Sequence, residues 1–176
     1  MDVRLTHTAD LDAPTRDAIR ALLDAAFEGD FGDDDWEHSL GGMHALAWDD
    51  GDVVAHASVV QRRLLADGRA LRTGYVEGVG VRPDRRRRGL GAAVMAGVEH
   101  VIRGAYDLGA LGATDDGAAL YTGRGWQCWQ GPSSALTPDG IVRTADADGG
   151  IYVLPVAVRL DLTAPLVADW RDGDVW

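Results

Sequence analysis

The stretch Val79-Gly80-Val81-Arg82-Pro83-Asp84-Arg85-Arg86-Arg87-Arg88-Gly89-Leu90-Gly91-Ala92 joins two different hydrophobic periods. Before it, Ala70 to Val81 reads as a strand; after it, Leu90, Val94, Val98 and Val101 fall on one helical stripe that Gly104 can stop. Between them lie five arginines, Arg82 and Arg85 to Arg88, the one dense basic patch of the chain, followed by glycines at 89 and 91. A glycine backbone admits a ligand closely, and the start of a helix presents N–H groups that have no acceptor one turn back. Those groups and the helix dipole favour a phosphate or pyrophosphate, and arginines add charge-assisted hydrogen bonds. An anionic ligand is expected at this loop.

Composition narrows which anion. The chain has 176 residues and 17 basic ones, and every basic residue is arginine. Without a lysine there is no P-loop, no kinase strand lysine and no Schiff-base lysine for a pyridoxal cofactor. The dinucleotide fingerprint G-x-G-x-x-G also fails, because Val94 stands at its last position.

Outward from the loop, the chain alternates strand and helix signals. Met1 to Thr8 alternates as a first strand, and Asp12 can cap a helix whose Ile19, Leu22, Leu23, Ala26 and Phe27 share one face. Glu28 to Asp35 reads as a Gly- and Asp-rich loop before Trp36-Glu37-His38. Met43 to Trp48 and Val53 to Leu65 form a hairpin around Asp49 to Asp52, and Asp67-Gly68 turns the chain into Ala70 to Val81. Further on come a strand at Leu108 to Ala113, a helix opened by Asp115-Asp116 that carries Leu120 and Tyr121, and strands at Trp126 to Trp129 and Ile151 to Val158. A polar loop with Asp146 and Asp148 separates those last two strands. The order is mixed α/β (α+β) with much of the sheet supplied by hairpins, in a single domain over residues 1–176.

Net charge is −11 with a pI near 4.7, a surface that repels nucleic acid and anionic membranes and favours cationic ligands. No basic-then-apolar leader opens the chain, no apolar run approaches about 20 residues, and the single Cys128 can form no internal disulfide. A cytoplasmic protein is expected. The five histidines, His7, His38, His44, His56 and His100, show no metal-ligand spacing, so no metal is expected.

Arg86-x-x-Gly89-x-Gly91 matches the pattern [QR]-x-x-G-x-[GA], and Leu120-Tyr121-x-x-x-Gly125-Trp126 follows at a suitable distance. In these segments the chain resembles the GNAT superfamily of N-acetyltransferases. The resemblance implies a mixed, mostly antiparallel central sheet of about six to seven strands flanked by about four helices. It also implies acetyl-CoA as cosubstrate, held by Val79, Val81, Arg86, Arg87, Arg88, Gly89, Gly91 and Ala92.

A narrower resemblance covers nearly the whole chain. Gly29-Asp30-Phe31, Asp35-Trp36-Glu37-His38, Leu40 to Ala45, Gln61 to Leu64, Gly74 to Val79, Arg103 to Tyr106, Val153-Leu154-Pro155 and Asp169 to Trp176 are similar to the aminoglycoside 2′-N-acetyltransferases. The implied reaction is acetylation of the 2′-amine of gentamicin, tobramycin or kanamycin B, with a homodimer as the assembly. The implied catalytic residues are Glu77 as base, shared with the carboxylate of Trp176, and Tyr121 as proton donor to the leaving thiolate. The Val79 N–H is the implied oxyanion donor. Substrate contacts fall on Asp35, Glu77, Gly78, Asp146, Asp148, Asp174 and Trp176. The acidic clusters suit a polyamine independently of the resemblance. Gly112-Ala113-Thr114 and Ala147 depart from the family pattern and leave the sugar contacts open. Two rivals remain at this stage: a GNAT enzyme for another amine, and a non-catalytic acetyl-CoA-binding module.

Overall fold

In the computed structural model, which describes residues 2–114 and 117–176, two Asp-Gly turns set the framework. Asp50-Gly51 (φ +51° and +88°) joins β2 (Met43–Asp49) to β3 (Asp52–Ala66), and Asp67-Gly68 (φ +51° and +71°) joins β3 to β4 (Arg69–Val81). Positive φ at both central residues is the two-residue turn whose twist matches that of the flanking strands. The chain divides into two units, Met1–Val60 with Val76–Val101, and Gln61–Tyr75 with Ile102–Trp176. β3 and β4 each contribute residues to both.

In the first unit, β1 (Asp2–His7) pairs antiparallel with β2, and β2 pairs antiparallel with β3 from Met43↔Val59 to Asp49↔Asp52. α1 (Ala13–Ala26) starts where the Asp12 carboxylate accepts the Thr15 N–H at 2.9 Å. Its buried face, Ile19, Leu22 and Leu23, packs with Leu11, Phe31, Leu46 and Val53 into one cluster, which Phe27, Trp36 and Trp48 border. α2 is a short helix, Asp33–His38. α3 (Leu90–Ala105) buries Leu90, Val94, Met95 and Val98 in this unit and Ile102 in the other.

In the second unit the strand order is β6-β9-β5-β4-β3-β10-β7-β8. Here β5 (Leu108–Gly112) runs parallel to β4 over Thr73–Tyr75, and β9 (Ile151–Pro155) is antiparallel to β5 and to β6 (Gln127–Cys128). β10 (Leu166–Asp169) is antiparallel to β3 and parallel to β7 (Ser133–Thr137), whose hairpin partner is β8 (Gly140–Arg143). α4 (Ala118–Gly123) carries Tyr121.

The mixed, mostly antiparallel sheet agrees with the expectation, and ten strands are found among the described residues where six to seven were expected. The surplus comes from β10 and from the β7–β8 hairpin, which lies inside the segment read as a polar loop. Thr137-Pro138-Asp139-Gly140 was its signal, since Pro and Gly at those offsets build a tight turn. The helical stripe also shifts: Ile102 is fully buried while Val101 is half-buried, and the helix runs one residue past Gly104. The helix opening expected at Asp115-Asp116 lies outside the described residues.

Leu23 is fully buried in the first unit's core. Leu23→Ala is expected to lower unfolding stability by about 2–5 kcal/mol, through lost transfer energy and the cavity left behind. The check is the urea midpoint, and an unchanged midpoint would take Leu23 out of the core.

Candidate active site

Expected site residues fall into two groups, one in each unit. The first group lies along β4 and the loop after it. Glu77 is half-buried on β4, and its main-chain carbonyl accepts the Ser58 hydroxyl at 3.3 Å. Gly78 has φ +56°, a left-handed conformation inside a strand. A Cβ there would stand 3.0 Å from Ser39 Oγ and 3.3 Å from the His56 ring, so the left-handed conformation favours glycine and the space around it is tight. Val79 and Val81 are half-buried on the same strand.

The loop arginines, uniform in sequence, are not equivalent in space. Arg82 binds Asp84 at 2.7 Å and Asp52 at 3.3 Å, and Arg85 pairs with Asp49 at 3.3 Å. Arg86 donates to the Ala26 carbonyl at 2.8 Å, at the carboxyl end of α1. Arg87 (φ +60°) and Arg88 are exposed beside Gly89 (φ +78°). No atom lies within 4 Å of where a Cβ on Gly89 would stand, so its backbone is open to an incoming group. α3 starts immediately after it, the Ala93 N–H bonding the Gly89 carbonyl at 3.0 Å. The N–H groups of Leu90, Gly91 and Ala92 therefore have no helical acceptor behind them. Open backbone, exposed guanidinium groups and a helix start fit the diphosphate of a coenzyme A.

Asp35 caps α2, its Oδ2 accepting the Gly32 N–H at 2.7 Å.

Of the second group, Asp146, Asp174 and Trp176 line a cavity of about 610 Å³ together with Gly112, Thr114 and Arg143, whereas Asp148 and Tyr121 are not among its lining residues. The Trp176 ring is buried, its Nε1–H donates to Thr144 Oγ1 at 2.8 Å, and its main-chain N–H donates to Asp174 Oδ1 at 3.1 Å. A Cβ on Gly112 would stand 3.0 Å from the Trp176 carbonyl carbon, so the departure to glycine at 112 makes room for that residue. Asp146 is exposed on the rim. Asp148 instead binds Arg143 through both carboxylate oxygens, and Ser133 through Oγ at 2.9 Å and the main-chain N–H at 3.0 Å. The Arg143 guanidinium, then Ser133, hold its carboxyl well below the usual carboxylate range. Tyr121 is buried near Trp126 and Tyr152, and burial pushes its phenol up to about 12.

Several residues that position these groups were not singled out in the sequence. Arg62 is 5% exposed and binds Asp169 Oδ1 at 2.7 Å, the Asp169 carbonyl at 2.9 Å and the Val175 carbonyl at 2.6 Å. Its guanidinium sits 4.5 Å from the Tyr75 ring centroid, and that of Arg171 sits 5.4 Å away. In the first unit, His44 and His56 are fully buried and linked: Thr8 Oγ1···His44 Nε2 at 2.7 Å, His44 Nδ1···His56 Nε2 at 2.9 Å, and His56 Nδ1···Gly78 O at 2.6 Å. A polar residue inside the apolar run Val53 to Ala57 was the signal that could have found His56. Among the described residues, no cluster of three or more His, Cys, Asp or Glu could hold a metal, and no helix is long and apolar enough to cross a membrane.

A family model for the acetyltransferase (GNAT) domain matches residues 9–128. The chain belongs to the GNAT acetyltransferases. This GNAT chain is 56% identical to the aminoglycoside 2′-N-acetyltransferase of Mycolicibacterium fortuitum, over 98% of its own length and 91% of that protein. Among solved structures, YhbS from Escherichia coli in complex with CoA matches with a TM-score of 0.64 at 17% identity, over 95% of this chain and 88% of that one. Eis1 from Mycobacterium abscessus also matches with a TM-score of 0.64, at 19% identity over 76% of this chain. This chain spans 34% of the length of Eis1, about a third. At these identities the two structures establish the fold alone.

Burial pushes His44 down to about 4 and His56 down to about 3. Electrostatic interaction with His7 and Arg16 adds to the shift at His44, and interaction with His44 adds to it at His56. The folded chain therefore holds both rings neutral at pH values where an unfolded histidine, near 6.5, takes a proton. Their contribution to stability is whole above about pH 6.5 and falls with pH below it, by up to about 1.4 kcal/mol per pH unit for each ring. Urea unfolding at pH 7, 6 and 5 is expected to give a falling midpoint. A flat series over that range would contradict a neutral buried pair.

Proposed function

We propose that this chain transfers the acetyl group of acetyl-CoA to the 2′-amine of aminoglycosides of the gentamicin, tobramycin and kanamycin B type, by direct attack of the deprotonated amine. The observation that carries the proposal is the 56% identity to an aminoglycoside 2′-N-acetyltransferase over 98% of the chain. The cavity supports it: about 610 Å³ is ample for part of a small aminocyclitol, and Asp146 and Asp174 line it. Arg143, the cation on that wall, is offset by Asp148. The proposal covers one GNAT domain over residues 1–176, working in the cytoplasm, as the sequence composition suggests, and as a homodimer, as the family resemblance implies. Such an enzyme inactivates the antibiotic and confers resistance.

Acetyl-CoA supplies an acyl group activated as a thioester, with Val79, Val81, Arg86, Arg87, Arg88, Gly89, Gly91 and Ala92 as its binding residues. Glu77 accepts the proton of the attacking ammonium, through water, together with the terminal carboxylate of Trp176. The Val79 N–H stabilises negative charge developing on the carbonyl oxygen. Asp35, Gly78, Asp146, Asp174 and Trp176 contact the polycation, while Asp148, engaged by Arg143 and Ser133, shapes the wall beside it.

Tyr121 donates to the departing sulfur. Its phenol, at about 12, is a weaker acid than an ordinary thiol near 8.5, so full transfer runs uphill by about 5 kcal/mol. The hydrogen bond itself, rather than the completed transfer, carries most of the stabilisation. Tyr121→Phe is expected to lower kcat by about 10²- to 10⁴-fold with acetyl-CoA affinity nearly unchanged. Turnover within threefold of the parent enzyme would remove Tyr121 from the reaction.

The direct test is incubation with tobramycin and acetyl-CoA, followed by mass and NMR location of the acetyl group. Acetylation at the 2′-amine is expected; acetylation of other amines only would transfer the activity to a different acceptor class, and thiol release without acceptor dependence would end the proposal. Glu77→Gln in the same assay is expected to lose turnover chiefly at low pH, where the amine is mostly protonated, and less at high pH. An unaltered pH–rate profile would leave Glu77 as a binding residue.

A further inference from the structure

His44 and His56 have no part in the transfer just described, yet all four of their ring nitrogens are engaged in a buried row. The direction of each bond follows from its end. The Gly78 carbonyl can only accept, so His56 carries its proton on Nδ1. A neutral ring then accepts at Nε2, so His44 also carries its proton on Nδ1. His44 Nε2 in turn accepts the Thr8 hydroxyl, and Thr8 Oγ1 receives the Gly41 N–H at 2.9 Å. A carbonyl at the end of the row cannot hand a proton on. The row is therefore an anchor and not a proton path.

What it anchors is one peptide plane. In a trans peptide the carbonyl of one residue and the N–H of the next lie in the same plane and point in opposite directions. Drawing the Gly78 carbonyl into His56 at 2.6 Å turns the Val79 N–H to the opposite side of β4. The preceding plane is pinned separately, by Ser58 on the Glu77 carbonyl, and Gly78 takes up the bend between the two with φ +56°. The ring of His56 also lies 3.3 Å from where a Cβ on Gly78 would stand, behind Ser39 Oγ at 3.0 Å, so it packs closely against the bend whose direction it sets.

We infer that His56, its tautomer locked by His44 and Thr8, is a positioning residue that aims the Val79 N–H at the reacting carbonyl oxygen. This rests on the oxyanion role proposed for Val79. His56 touches neither substrate. It acts through the Gly78–Val79 peptide, and aim matters because a hydrogen bond weakens steeply once its angle falls toward about 120°. Asn can present its amide nitrogen where Nδ1 stands and keep the donor to Gly78; Leu fills similar space and supplies none.

The test has two arms. Nitrogen-15 NMR of histidine-labelled enzyme at pH 7 is expected to find two neutral rings protonated on Nδ1; a cationic ring at either position, or protonation on Nε2, would overturn the anchor without any variant. In the kinetic arm, His56→Leu is expected to lower kcat about 10- to 100-fold, less than deleting an oxyanion donor outright, with KM for acetyl-CoA within about twofold. His56→Asn is expected to recover most of that loss. A folded His56→Leu enzyme with kcat within about twofold of the parent would overturn the inference. So would equal loss in both variants with equally lowered melting temperature, which would mark His56 as packing alone. Failure of the parent enzyme to acetylate any aminoglycoside would refute the proposed function instead, and the NMR arm would still read the anchor.

Discussion

A left-handed residue in the middle of a β-strand is the constraint around which the first unit is arranged. Gly78 turns β4 at φ +56°, and two part-buried carbonyls flank the turn. A buried carbonyl left without a donor costs about 1–3 kcal/mol, so each must be met by something nearby. Ser58 meets one and His56 the other, and His56 can do so only in one tautomer. That demand passes down the row through His44 to Thr8, and so ties β2, β3, β4 and the turn that follows β1 to a single hydrogen-bonding pattern. A strand that could twist freely would let its N–H groups wander by tens of degrees. Here the sheet itself sets their bearing.

The framework was legible because its signals are local. Two Asp-Gly pairs placed the β2–β3–β4 turns, Asp12 placed the start of α1, and the Arg86-x-x-Gly89-x-Gly91 pattern marked the junction of strand and helix. The β7–β8 hairpin was misread because β8 is exposed on both faces and the buried positions of β7 are the small residues Ser133 and Ala135, while the large apolar Leu136, Ile141 and Val142 are exposed, so no apolar alternation marks a buried face. The role of Arg62 left no trace in a local window, since its hydrogen-bond partners lie more than a hundred residues away. The same holds for the histidines. As single letters they showed only that no metal spacing exists, and their meaning depends on a carbonyl direction that no residue type encodes.

Charge is redistributed between sequence and fold. A chain at −11 with one arginine-rich loop suggests a basic patch in an acidic body. In the folded chain, Arg82 and Arg85 are matched by Asp84, Asp52 and Asp49, which leaves Arg87 and Arg88 as the exposed pair at the helix start. The acidic clusters divide in the same way. Asp148 is absorbed by Arg143, and one carboxylate oxygen of Asp35 by the cap of α2, whereas Asp146 and Asp174 line the cavity. Counting charges in a segment therefore overstates what a ligand meets, because the fold spends part of each cluster on itself.

The Arg62 contacts bear on how the molecule comes into being. This guanidinium reaches 107 residues along the chain to Asp169 and 113 to Val175. Loop closures of that span are slow compared with hairpins and helices, which form between near neighbours. During synthesis, the row from Thr8 to Gly78 is complete in sequence long before residue 169 has been added. A domain that emerges vectorially can thus order its first unit while Arg62 still lacks its carboxylate and Tyr75 lacks the second cation on its ring. The wall that Gly112 and Trp176 line draws on residues that all follow the first unit in the chain, and so it is assembled after that unit.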